Sequence, residues 1–181
     1  MTRAINWGLP LFTLAVYAYL AVYLGGQLLV FADWQLPFDL RITGYTLGEA
    51  RGYLRALPPE GYVLAQGRVY WADTLFALLL GLTLAWWMRP FTGVFGMVCV
   101  LVVMTCVALD WGENASVQFM LEAGPDWVPP HIVQRASTFT VAKFVAVALG
   151  FALAARQSWL RYQRAAIGCN PVAIGKIRSG Q

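Results

Sequence analysis

Charge is scarce in this chain. Only 12% of its 181 residues are Asp, Glu, Lys or Arg, about half the share usual in a soluble globular domain. With 59% of the residues apolar, too little polar surface remains to coat a water-soluble fold. Histidine is almost missing. His131 stands alone, which excludes haem ligation by paired helix histidines and any multi-histidine metal site. The cysteines are Cys99, Cys106 and Cys169, with no Cys-x-x-Cys among them. Thiol redox chemistry and a zinc site are therefore not indicated, and these side chains read as small apolar packers. A Gly-x-Ser-x-Gly elbow, a P-loop and a dinucleotide fingerprint are all lacking. So is the internal repeat of an inverted-repeat transporter. Neither a metal nor a cofactor is expected.

What the chain has in abundance is long apolar runs. The first spans residues 9–32, with Gln27 its one amide. The second covers 71–88 and holds Asp73 near its start. The third begins after Pro90 and covers 91–114, and the absence of proline lets it continue to 121. The fourth covers 132–155 and carries Arg135 and Lys143. Each is long enough for a helix across a ~30 Å hydrocarbon core, the second only just. The first run exceeds the 7–15 residues of a signal-peptide core and reads as an uncleaved span. The expected fold is an all-α integral membrane protein, a bundle of four transmembrane helices. It forms one membrane domain over residues 1–164 with a basic tail over 165–181.

Charge placement predicts orientation. All nine acids lie in or beside residues 33–73 and 110–126. Arg3, Arg89, Arg156, Arg161, Arg164, Lys176 and Arg178 occupy three segments without any acid. The positive-inside rule puts those segments, and both chain ends, in the cytoplasm. Trp34, Trp71, Trp111 and Trp127 then mark the outer interface, and Trp7, Trp86, Trp87 and Trp159 the inner one. The location expected is a bacterial inner membrane.

The outer segment between the first two spans has structure of its own. Thr46 and Glu49 have capping-box spacing. They predict a helix from Leu47 to about Leu57, ended by Pro58-Pro59. Leu47, Ala50, Tyr53, Leu54 and Leu57 share one face. Such an amphipathic helix lies on the membrane surface or caps the bundle. Val63 to Tyr70 reads as a short extended stretch leading into the second span.

Ionisable residues inside spans are costly in lipid and face a bundle interior or a polar cavity. Asp110, Glu113 and Asn114 share one helix face. Ser137, Thr140 and Lys143 share a face of the fourth span, with Arg135 nearby. If the link at 122–131 is a symmetric turn, positions equidistant from it lie level. Asp110 then stands opposite Lys143, and Glu113 opposite Thr140. Asp73 enters from the same side. The predicted polar cluster is Asp73, Asp110, Glu113, Asn114, Arg135, Thr140 and Lys143. If it does chemistry, Asp110, Glu113 and Lys143 are the candidate catalytic groups. Ala142, Ala146, Gly150 and Ala154 form a stripe of small residues that permits close helix approach.

Pro37-Phe38-Asp39-Leu40-Arg41, Gly44-Tyr45-Thr46, Glu49-Ala50 and Tyr53-Leu54 resemble the first outer segment of a group of small four-span bacterial membrane proteins. Asp73-Thr74-Leu75-Phe76, Asp110 with Glu113-Asn114, and Lys143 are similar to that group as well. The resemblance covers most of residues 35–145. It implies the four-span fold and a polar site at these residues, and it brings no activity with it.

Two function classes follow. The first is a non-catalytic membrane protein, an accessory or assembly subunit of a larger complex, whose charged cluster fixes helix register. The second is a small intramembrane enzyme, or a protein binding a lipid or isoprenoid, that uses the Asp/Glu/Lys cluster from the outer leaflet. The partners expected are membrane lipids and other membrane subunits, with no nucleic acid. A lipid-accessible pocket of roughly 300 Å³ or more beside the cluster would favour the second class.

Overall fold

A computed structural model describes residues 2–168, with side chains over residues 7–164. Among the described residues every regular element is helical. The first helix, α1, runs without a break through Thr2–Ala18, a π-helical turn at Tyr19–Leu24, and Gly25–Phe31. A short 3-10 turn at Phe38–Leu40 leads to α2, Leu47–Ala56. The next helix, α3, comprises Pro59–Leu64, a π-helical turn at Ala65–Val69, and Tyr70–Met88. The two longest follow, α4 over Gly93–Trp127 and α5 over Pro130–Gly168. Four of these helices are long and apolar enough to cross a membrane.

Three boundaries differ from the sequence reading. The stretch from Val63 to Tyr70 is helical, not extended. Pro58-Pro59 ends α2, but Pro59 also occupies the first turn of α3, where its missing N–H costs nothing. Continuing the helix pairs backbone groups that an extended stretch would leave open. The third helix reaches Trp127 and turns only at Gly124, whose φ of 75° precedes Pro125. The fourth continues to Gly168, past the expected end at 155. The rest of the basic tail expected over 165–181 lies outside the described residues, as does Cys169.

Helix α2 forms as its sequence demands. Thr46 Oγ1 accepts from Glu49 N at 3.3 Å, and Glu49 Oε2 accepts from Thr46 N at 2.7 Å. These bonds satisfy backbone donors that a helix start leaves orphaned. Glu49 is fully exposed, and the backbone bond from Thr46 holds its carboxyl below the ordinary glutamate range. Ala50, Tyr53, Leu54 and Leu57 are buried on the expected face, with Leu47 partly so. They pack with Met120 and Leu121 of α4 and Val133 and Ala136 of α5. The helix therefore caps the bundle, and is not free on a membrane surface. Burial pushes the Tyr45 and Tyr53 hydroxyls above the ordinary tyrosine range.

A second apolar cluster fills the opposite end, around Leu84, Met88, Cys99, Cys106 and Ala154. The small-residue stripe serves this cluster. Ala146 packs against it, Ala154 belongs to it, and a Cβ on Gly150 would meet Leu84 Cδ1 at 2.9 Å. The stripe thus faces α3 within the bundle. Gln157 Nε2 and Arg161 Nη2 donate to the carbonyls of Met88 and Trp87. They satisfy acceptors that the C-terminal end of α3 leaves open.

The first helix is the outlier. It packs chiefly on α3, where the Thr13 and Thr83 hydroxyls bond at 2.8 Å. No comparable contact joins it to α5.

Candidate functional site

Between the two apolar clusters lies a polar layer. Along α4 it occupies the stretch between Cys106 and Met120, and along α5 that between Ala136 and Ala146. Lys143 Nζ sits 3.0 Å from Asp110 Oδ1 and 2.5 Å from Glu113 Oε2. Thr140 donates to Glu113 Oε1 at 2.6 Å. Asn114 Nδ2 reaches Asp110 Oδ2 at a long 3.4 Å. Glu113 and Thr140 have no exposed surface, and Asp110 and Lys143 retain 5% and 8%. The level pairing expected from a symmetric turn is what the helices adopt. The reason is physical. A lone ammonium at that depth needs carboxylates, and only one register of α4 against α5 supplies both.

Two further residues from the predicted cluster behave differently. Arg135 is not in it. Its side chain is on the exposed side of α5, where Nε donates to Ser116 Oγ at 3.1 Å. A second long cation inside would have needed its own buried acceptors, and from the exposed side Arg135 keeps its charge in contact with solvent while reaching the buried Ser116 hydroxyl. Asp73 is in the layer, 5% exposed, yet no hydrogen bond or ion pair reaches its carboxylate among the described residues. The layer holds three carboxylates and one ammonium, and that ammonium is already shared by two of them.

Asp73 borders a cavity of about 520 Å³ that the sequence did not reveal. The cavity lies between α1 and the other three long helices. Leu14, Tyr17, Phe76, Leu80, Val147 and Phe151 make most of its wall apolar, and Asp73, Asp110 and Lys143 form its polar end. It exists because α1 leans on α3 and stands away from α5, which leaves a side opening between α1 and α5. Asp39, from the 3-10 turn, also reaches the polar end. Asp39 was missed as a site residue because it lies in the segment between the first two spans, outside every apolar run. The Pro-Phe-Asp-Leu-Arg resemblance was the one signal pointing to it. Asp39 and Asp73 also line a second, smaller cavity of about 40 Å³ toward α2. At the other end, Trp7, Trp87 and Phe151 are shared with a third recess that opens beside Ser158 and Arg161.

The 3-10 turn is held over the site by α5. Ser137 Oγ accepts from Tyr45 N at 2.9 Å. Arg41 lies 5.5–5.8 Å from the rings of Phe38, Tyr45 and Tyr53, and donates to the Leu36 carbonyl. The Tyr45 hydroxyl has no partner within hydrogen-bond distance. Among the described residues no His, Cys, Asp and Glu side chains are grouped as metal ligands, and Asp110 and Glu113 turn to Lys143 instead.

Chemically, the layer offers acceptors at the polar end of an apolar slot. Such a slot receives a molecule with one long apolar part and one small polar end. Comparison with protein-family models, with characterised proteins and with solved structures returns no match for this chain.

Proposed function

We propose that this chain is a multi-pass protein of a bacterial cytoplasmic membrane that binds a single-chain amphiphile. The apolar part occupies the slot between α1 and α5, and the polar end meets Asp73, Asp110 and Lys143. One observation carries the reading: a cavity of about 520 Å³ with apolar walls ends on buried charge. Its volume falls in the roughly 300–1,000 Å³ range of small-molecule sites. Positive-inside placement of Arg3, Arg89, Arg156, Arg161 and Arg164 puts both ends in the cytoplasm, and the polar layer in the outer half of the membrane. The resemblance to the four-span bacterial group supports the same location. Asp73, Asp110, Glu113, Asn114 and Lys143, which carry it, are the residues that meet in the layer.

The charged cluster also has the register role. Lys143 with Asp110 and Glu113 fastens α4 to α5 whether or not the slot is filled. A place as accessory subunit of a larger complex draws on the lipid-facing surfaces of the same helices. The amphiphile reading has the cavity in addition, and is therefore preferred.

Native mass spectrometry of the full chain, released from nanodiscs, tests both. The expected result is a bound mass in the range of a single-chain lipid. It should be lost in Leu14→Trp, which fills the slot from the exposed side of α1. Equal retention by the filled variant would sink the slot assignment. Recovery of a stoichiometric second protein in place of lipid would favour the subunit reading.

A further inference from the structure

The charge inventory of the slot constrains what its polar end can be, provided the slot holds an amphiphile as argued above. Asp73 is 95% buried, given its 5% exposure, and no side chain among the described residues satisfies it. It lines the large cavity and the smaller one beyond it. Asp39 lines both as well and, among the described residues, has no ion-pair partner either. Lys143, the cation at this end, is engaged by Asp110 and Glu113. Arg41, beside Asp39 in sequence, is turned over the Phe38, Tyr45 and Tyr53 rings. Four carboxylates therefore converge on one ammonium, and the two unpaired ones face open volume.

We propose that the polar end of the ligand is a cationic amine, taken up by Asp73 and Asp39. Ionised carboxylates only accept hydrogen bonds, and an ammonium brings up to three donors and the missing charge. A carboxylate or phosphate head would add negative charge to a site already rich in it. An alcohol would leave Asp73 uncompensated in an apolar wall. Phe76 lies one turn along α3 from Asp73, and the Tyr17 ring sits 5.2 Å from it. These two aromatic faces suit a cation next to the carboxylates. The ligand class is thus a long-chain amine. The competing state is a proton on Asp73, which would make the site indifferent to ligand charge.

The experiment uses the full chain in nanodiscs of zwitterionic phospholipid, with empty discs as the partitioning control. Dodecylamine, dodecanol and dodecanoate are titrated, and intrinsic tryptophan fluorescence is read, since Trp7 and Trp87 line the slot. The amine is expected to bind about tenfold more tightly than the alcohol, as charge-assisted hydrogen bonding implies. In Asp73→Asn that preference should fall below about twofold. Asp39→Asn should weaken the preference in part. Folding of Asp73→Asn is checked by its melting temperature, which should not fall, because the carboxylate it replaces has no partner. Equal binding of amine and alcohol, or tighter binding of dodecanoate, overturns the cationic assignment and leaves the slot intact. Failure of all three probes to bind overturns the slot itself.

Discussion

Thr140 on α5 donates to Glu113 on α4 at 2.6 Å, and neither residue has any exposed surface. The bond lies one turn from Lys143, which ties the same glutamate and Asp110. This set closes the two longest helices against each other at a single register. It is a buried, charged fastener between two apolar clusters.

Lys143→Met should therefore destabilise the protein severely. It leaves Asp110 and Glu113 as neighbouring buried acids without a cation, and loss of one partner from a buried pair costs about 3–5 kcal/mol. Denaturation in detergent micelles measures it. Adding Asp110→Leu and Glu113→Leu to the same variant should recover most of the loss, because apolar replacement of a whole buried set is close to neutral. A single variant as stable as the parent would contradict the fastener role.

Gly44→Ala should detach the segment that carries α2 while sparing the long helices. Gly44 has a φ of 81°, and a Cβ there would stand 2.6 Å from Ser137 Oγ. Ser137 is the residue that anchors Tyr45 N. A strained left-handed alanine costs about 1–3 kcal/mol, before the contact with α5 is counted. Hydrogen exchange should rise across residues 38–57 far more than in α4 and α5. Uniform exchange throughout would show that the segment and bundle open as one unit.

The start of α2 should loosen in acid. Glu49 is held below the ordinary glutamate range by its bond from Thr46 N. A carboxyl with a lowered folded pKa stabilises the helix fully above the unfolded value, about 4.3. That contribution disappears as pH falls through the lower folded value. Protection of the amides at Glu49 and Ala50 should decline over this window. Glu49→Gln keeps an acceptor for the cap and should flatten the decline. An unchanged slope in that variant would place the acid sensitivity elsewhere.

Much of the polar layer was legible before any coordinates. Asp110, Glu113, Thr140 and Lys143 sit equidistant from one turn, so an antiparallel pair of helices had to bring them level. The capping box at Thr46 and Glu49 and the apolar face from Leu47 to Leu57 were equally plain, because both depend on local spacing. Arg135 was misplaced for lack of rotational information. It lies two turns from Lys143, but its side chain leaves on the exposed side and finds Ser116. The stretch from Val63 to Tyr70 misled because Gln66, Gly67 and Arg68 interrupt the apolar pattern just before the second apolar run. A π-helical turn at Ala65–Val69 carries these residues within a helix.

By itself the sequence determined that the chain is helical, apolar and four times long enough to cross a bilayer. Hydropathy and charge placement act locally, residue by residue, and need no partner to be read. It also brought Asp110 level with Lys143 and Glu113 level with Thr140, because helix rise from a symmetric turn fixes which positions stand opposite. Only the tertiary structure decided that Asp73 has no partner among the described residues and that a slot lies beside it. Both depend on how far α1 stands from α5, and that distance follows from the packing of Thr13 on Thr83 and of the small residues around Gly150. No spacing within a single helix encodes it.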